Sequence, residues 1–322
     1  MVKKKGKTLL NRSEILKISK DKPWVSPFNK IVAVHDKKLN LVQIYEYHAR
    51  NVCYGAAAWA VYHYNRTSSL VVNAKRDGAR DIFTLKLGKT KLELKPSLYS
   101  AGIEAAKVQE DTIRITYAGL AGGGVGSTLC RALGEGVYNA EIHEEGGGDK
   151  LGRATLVLPR MVKVQVGVDD TDKKGAGATW SLANEIAVDI SRSYGIHYLN
   201  HTLVQLFPGT PERTTNCVAT VLTFAVKPDR INYLKNELMK RFLKHTLSDQ
   251  TSLAFWEGIV VPKEIKEYSN NAKKRVVTID LAKKIANAQQ IQLVKVTGER
   301  GFIGALAGIG YAEEQEAAVK LE

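Results

Sequence analysis

Val162-Lys163-Val164-Gln165-Val166-Gly167-Val168-Asp169-Asp170-Thr171-Asp172 is the stretch that decides the fold of the C-terminal half. Valine recurs at every second position from Val162 to Val168, the period of a strand with one buried face. The strand runs directly into three carboxylates. After a loop, Leu182, Ile186, Ile190 and Tyr194 recur every four residues, with Ala183 and Ala187 beside them. That spacing predicts an amphipathic helix over 179–194. Strands are expected at 198–206 and 217–226, a helix at 231–245, strands at 253–261 and 291–296, and helix again from Gly304. The order β-α-β-β-α-β is that of a ferredoxin-like element.

Pro159-Arg160 marks a boundary upstream of this unit. Before it, strands are expected at 30–34, 41–45, 70–74, 82–87, 112–117, 139–143 and 154–158, with a helix over 55–64. The fold class is therefore α+β, with two α/β-sandwich-type domains. An N-terminal domain over 29–160 is assigned to substrate or partner recognition, and a nucleotide domain spans 161–322. Residues 1–28, rich in lysine and ending at Pro23 and Pro27, read as a basic mobile leader.

Composition sets the limits. With 322 residues and 44% hydrophobic content, the chain can bury sizeable cores. No apolar run is long enough for a membrane helix and no secretory signal is evident, so a cytoplasmic protein with no membrane partner is expected. The three cysteines, Cys53, Cys130 and Cys217, form no C-x-x-C pair, which argues against a zinc ribbon or a disulfide framework. The formal net charge of +14 favours anionic partners such as nucleotides or RNA.

The acidic cluster carries the chemistry. Close carboxylates repel unless a cation neutralises them, and magnesium accepts one or two carboxylates together with phosphate oxygens. In an extended chain Asp170 and Asp172 point to one side and could share a metal, while Asp169 faces the other way. The loop Gly175-Ala176-Gly177-Ala178 lets backbone approach a phosphate, and Thr179 begins a helix whose free N–H groups attract anions. The other reading is an Asp-rich turn in which Asp172 or Thr179 caps the helix. Two further segments favour a nucleotide. Pro208 to Asn216 offers Arg213 to a phosphate and Thr214 and Asn216 for hydrogen bonds. Gly298 to Ala307 is a strand-to-helix turn with Arg300 beside Gly301 and Gly304, for which plain helix–strand packing is the other reading.

In this order, Gly167 to Asp172, Thr179, Pro211 to Thr214 and Arg300 to Leu306 resemble archaeal tRNA-isoleucine agmatidine synthetase over roughly residues 162–322. The resemblance implies ATP and magnesium as cofactors and phosphorylation of an acceptor oxygen. It implies that Asp169, Asp170 and Asp172 hold metal and phosphates, with Thr179 near the transferred phosphate. Thr171, Gly175, Gly177, Arg213, Thr214, Asn216, Arg300, Gly301 and Gly304 complete the expected nucleotide-contacting set. Arg213 stands where that family has lysine, and Ala178 and Trp180 flank Thr179 where it has cysteine and a second threonine.

The first half adds Gly55 to Tyr64, Tyr117 to Gly122, and His143-Glu144-Glu145-Gly146-Gly147-Gly148. With these, the whole chain resembles methanogenesis marker protein 11, a family of methanogenic archaea. Gly119 to Thr128, placed between a strand and a helix, is either a phosphate or ligand loop or a tight packing turn; it lacks P-loop lysine and dinucleotide-site spacing. His143-Glu144-Glu145 is either a source of metal ligands or a base, or plain surface. Three functions follow: an ATP-dependent phosphoryl-transfer enzyme acting on an unidentified acceptor, a non-catalytic nucleotide- or RNA-binding factor, or an assembly factor for a methanogenic enzyme partner.

Overall fold

The computed structural model describes residues 9–321. The chain divides into two compact units, Met1–Met161 and Val162–Glu322. The fold is α+β, with three antiparallel sheets.

Unit 1 begins with α1 (Arg12–Ser19). Asn11 caps it: its side chain accepts from the Ser13 and Glu14 amides, and Glu14 answers the Asn11 amide. Ile15 is fully buried in the unit's core, and Leu10 bridges to Ala140. The expectation of a mobile leader is thus corrected for residues 9–28; residues 1–8 lie outside the described residues. The sequence pattern missed the cap because lysines surround a single core anchor.

One sheet of unit 1 contains β1 (Lys30–Asp36), β2 (Leu41–Tyr47), β3 (Val71–Asp77) and β4 (Arg80–Lys86), in the order β1-β2-β4-β3. The other contains β5 (Gly88–Lys89), β6 (Ala101–Gln109), β7 (Thr112–Leu120), β8 (Asn139–Gly147) and β9 (Lys150–Pro159), in the order β5-β6-β7-β9-β8. Both sheets feed one core: Ile31, Val42, Ile44 and Phe83 from the first, and Ile103, Ile115, Tyr117 and Leu156 from the second. The helix α2 (Tyr54–Thr67) adds Ala60 and Tyr64. β6 escaped the sequence reading. Its small residues, Ala101, Gly102, Ala105 and Ala106, carry little strand signal.

Gly119 to Thr128 is not a loop. β7 passes into α3 (Ala121–Val125), which continues as a π-helical turn over Gly126–Cys130. A Cβ on Gly124 would lie 2.6 Å from the Gly119 carbonyl oxygen and 2.8 Å from the Gly152 amide, so the chain is tightly packed at Gly124.

Asp81 is buried in β4 beside His48, with Nε2 to Oδ2 at 2.7 Å and Oδ1 lacking a partner. Burial raises its carboxyl from 3.8 to about 6. A raised acid pKa means that ionisation costs stability, so this contribution is lost as pH climbs from 3.8 to about 6. Asp81→Asn should therefore gain stability relative to the parent across that interval. Urea midpoints compared on both sides of it provide the check, and a constant difference would contradict the burial argument.

Unit 2 contains β10 (Val162–Asp169), α4 (Thr179–Ile190), β11 (Ile196–Gln205), β12 (Val218–Val226), α5 (Ile231–His245), β13 (Ser252–Glu257), α6 (Lys263–Lys274), α7 (Ile279–Ala288), β14 (Gln292–Lys295), α8 (Phe302–Gly310) and α9 (Gln315–Ala318). The sheet order is β11-β12-β10-β13-β14. Its first four strands have the ferredoxin-like arrangement, with β10 and β12 central, and β14 extends the edge. The valine face of β10 packs on α4 and α5 through Ile186, Ile190, Leu234, Leu238 and Phe242. The opposite face of the sheet is covered by α6, α7 and α8 through Ile265, Tyr268, Ala286 and Leu306. Gly167 allows this second layer: a Cβ there would run into the Ala305 carbonyl oxygen of α8. The helix expected over 179–194 stops at Ile190. Beyond it a turn hydrogen-bonded from Ser191 to Ala187 and from Ser193 to Ile190 leaves Tyr194 exposed.

No described helix is long and apolar enough to cross a membrane.

Candidate functional site

The carboxylates leave the sheet at the C-terminal end of β10. Asp169 continues the strand's alternation and falls on the Gly167 face, against α8. A Cβ on Gly304 would overlap Asp169 Oδ2, so the bare glycine admits the carboxylate to the first turn of that helix. Asp170 departs from the strand, with φ of +62°. The expectation that Asp170 and Asp172 project together from an extended chain is therefore corrected. Asp170 instead turns to Arg300, whose Nε donates to Oδ2 at 2.7 Å, and to Ser248, whose hydroxyl donates to Oδ1 at 3.0 Å. The Thr251 hydroxyl holds the Asp170 carbonyl at 2.6 Å.

Thr171 is buried and points inward. Its amide and hydroxyl donate to Thr179 Oγ1 at 3.2 and 3.1 Å. The Thr179 oxygen is thereby fixed at the start of α4, with its own proton left to donate. Between them, Lys173 and Ala176 exchange backbone bonds of 3.0 and 3.1 Å, which close the glycine loop.

The electrostatics reflect crowding. Burial pushes the Asp169 carboxyl well above the usual range, and the neighbouring charges of Asp170 and Asp172 add to the shift. Burial also raises Asp172, although its own amide, the Thr214 hydroxyl and the Thr179 amide pull the other way. The N-cap of α4 is Ala178, without a side-chain cap, so the capping turn of the alternative reading is not formed, and Asp172 faces the same cleft as the other carboxylates.

That cleft encloses about 1170 Å³. Asp169, Asp170, Asp172, Gly175, Gly177, Thr179, Arg213, Thr214, Asn216 and Arg300 all line it. Residues more than a hundred positions apart in sequence are brought together here. Gly301 and Gly304, expected at the nucleotide, are not on its wall. Gly301 seats α8, since a Cβ there would lie 2.8 Å from the Gln250 carbonyl oxygen and 2.8 Å from the Ser252 amide, while Gly304 makes room for Asp169. Thr171 likewise acts from behind, through Thr179. Among the described residues no three His, Cys, Asp or Glu side chains converge on a metal position. The donors that remain are carboxylate oxygens of Asp169 and Asp172. They suit a hard cation that takes its other ligands from phosphate and water.

Sequence reasoning missed several wall residues: Trp180, Gln250, Arg275 and Thr278. Arg275 and Thr278 come from the α6–α7 connection. The signal was available: Ile265, Tyr268, Ser269 and Ala272 have helical spacing, and Thr278 caps α7 by accepting from the Leu281 amide at 3.2 Å.

The segment from β10 to the end of β12 is similar to a known domain family. Residues 165–228 match the family model of the TiaS TCKD domain. The chain belongs to the family of uncharacterized protein MJ0921 of Methanocaldococcus jannaschii, with 43% identity over 295 residues, covering 91% of this chain and 97% of that protein. It is also 34% identical over 152 residues to TiaS of Pyrococcus horikoshii, a 2-agmatinylcytidine synthetase for an isoleucine tRNA. That match covers 46% of this chain and 35% of the synthetase, so the chain spans about a third of that enzyme's length. A crystal structure of TiaS in complex with its tRNA, AMPCPP and agmatine aligns at 26% identity and a TM-score of 0.42, over 48% of this chain and 37% of that one.

Proposed function

We propose that unit 2 is an ATP- and magnesium-dependent phosphoryl-transfer centre that activates an acceptor oxygen for modification. The observation that carries this reading is the single cleft shared by the β10 carboxylates, the start of α4 and the cations Arg213 and Arg300. Phosphoryl transfer asks a protein mainly for positioning and charge neutralisation, and these are the groups that provide both. Similarity to a synthetase named for an isoleucine tRNA supports a nucleotide-using modification, and the net charge of +14 favours an RNA acceptor. The methanogenic setting rests on the sequence resemblance to methanogenesis marker protein 11.

Each residue then has a task. Asp169 and Asp172 would hold magnesium, which when bound supplies positive charge against the phosphates. Arg213, whose Nη1 is steadied by the Thr215 carbonyl at 2.7 Å, offers its remaining donors to a phosphate. Thr179 presents its hydroxyl proton at the head of α4. Arg300 is oriented by Asp170 and bounds the cleft. Asp170 is the member already neutralised by the protein, so it acts through Arg300 rather than on the substrate.

The pairing of Asp170 with Arg300 also favours a second reading, a nucleotide-binding factor without turnover. Formation of ADP from ATP in the presence of candidate acceptor RNAs distinguishes the two: ADP formation lost in Asp172→Asn supports transfer, whereas ATP binding without ADP supports the factor. Binding has a further signature. Asp169 and Asp172 both have raised pKa values and must ionise to meet a cation. Magnesium–ATP affinity should therefore rise with pH through their titration range, and binding should release protons. Calorimetry in buffers of different ionisation enthalpy measures that release; proton uptake would contradict the assigned carboxylates.

A further inference from the structure

Unit 1 contains a cavity of about 880 Å³ that the proposed chemistry does not use. Trp24, Phe28, Trp59 and Tyr64 contribute aromatic walls. Trp24 is 62% exposed and Trp59 38% exposed, although the unit has a well-formed core able to bury such rings. Large apolar rings left at solvent around a concavity are the usual mark of a binding site.

The glycines of α3 sharpen this. Glycine is a much poorer helix former than alanine, so each one in a helix needs a reason. Gly124 has one in its backbone contacts, and Gly123 has another, since a Cβ there would lie 2.8 Å from the Trp59 ring. Gly122 has none: a Cβ would meet nothing within 4 Å. Gly122 lies on the cavity wall, so the missing side chain keeps space open rather than relieving a clash.

The wall's charges are balanced. Arg131 is held by Glu46 through Nε to Oε1 at 2.9 Å and Nη2 to Oε2 at 2.7 Å, and its Nη1 donates to the Gly126 carbonyl at 2.9 Å. His48 is paired with Asp81. At the β8–β9 turn, Asp149 and Lys150 are of opposite sign. A buried ligand meets no net charge to neutralise. It does meet polar groups, because Gly146 to Gly148, which have only backbone to offer, are part of the wall. Neutral, flat and hydrogen-bonding at the rim describes a heterocycle rather than a hydrocarbon or an anion.

We propose that this cavity binds a neutral planar nitrogen heterocycle of nucleobase size, stacked on its tryptophans, at a site separate from the phosphate cleft of unit 2. The overall positive charge favours a base carried on a phosphate chain that lies outside the cavity.

The test uses the full chain saturated with magnesium and ATP, so that added bases do not compete for the cleft. Cytidine, uridine, adenosine, guanosine and a short single-stranded RNA are titrated by calorimetry and tryptophan quenching. Binding of at least one probe is expected, weakened at least about tenfold by Gly122→Leu, which fills the cavity, and by Trp24→Ala, which removes a stacking face. Thermal unfolding reports that both variants are folded. Nucleoside binding identifies a free base as sufficient; binding of RNA alone identifies a base presented on a strand. Absence of binding by every probe, or unchanged affinity in folded Gly122→Leu, overturns the proposal. The readout holds even if the cleft takes no ATP, because loss on filling the Gly122 space locates the ligand in unit 1.

Discussion

Asp169→Asn is expected to weaken magnesium–ATP binding on the order of 100-fold while leaving the unliganded protein as stable as the parent or more so. The two effects have one cause. Asp169 ends β10 on the face covered by α8, and burial together with the Asp170 charge makes its ionised form costly. An amide of the same shape carries no such cost, so folding gains. It also carries no negative charge, so a cation loses a ligand. Calorimetric titration and thermal unfolding of the same preparation separate these terms. Unchanged affinity would remove Asp169 from the site; a collapse in stability would make it a structural residue. Asp170→Asn should behave differently. It leaves the Arg300 guanidinium without its carboxylate partner and should lower stability as well as affinity, since Arg300 Nε now lies 2.7 Å from Asp170 Oδ2.

Gly167→Ala should cost about 3 kcal/mol or more, whereas Gly304→Ala should leave the fold largely intact and disable the site. Both glycines lie where α8 meets β10, and both would place a methyl group inside a neighbour. The neighbour decides the outcome. At Gly167 it is the Ala305 backbone, and the whole helix must retreat. At Gly304 it is the Asp169 carboxylate, which can rotate away and so leave the position assigned to it. Urea unfolding paired with magnesium–ATP titration measures both. A Gly167→Ala protein that melts with the parent would mean that α8 does not depend on this close approach.

Arg300 and the β10 acids illustrate how the site was readable and where reading stopped. Their residue types and the order of motifs raised the expectation of phosphate chemistry, and the fold brings Asp169, Asp172 and Arg300 to one cleft. Their roles within the site were not visible. Asp170 was expected beside Asp172, on the rule that alternate residues share a face. That rule fails once φ becomes positive, and here the ion pair to Arg300 and the Ser248 hydrogen bond accompany the change. Gly301 and Gly304 were expected at the nucleotide, but the missing Cβ of Gly301 serves helix packing and that of Gly304 makes room for the Asp169 carboxylate. Conversely, Arg275 and Thr278 went unnoticed because the helices they connect were not separated from the surrounding polar sequence.

The valine alternation of β10 and the four-residue periodicity after it determined one strand and one helix, and the β-α-β-β-α-β order of the local signals pointed to a ferredoxin-like element; which helices cover the valine face was decided by the tertiary structure. The periodicities are local signals, since a strand or helix with one buried side writes its period into consecutive residues. The Asp-rich strand end and the glycine loop carried the expectation of phosphate binding for the same reason, beside the alternative of a capping turn. Which carboxylate is free and which is neutralised was decided only by tertiary structure. That outcome depends on a guanidinium 130 positions away and on the depth at which α8 covers each acid. The cavity in unit 1 was decided in the same way. Its space exists because elements distant in sequence surround a glycine that, read alone, is indistinguishable from one needed for packing.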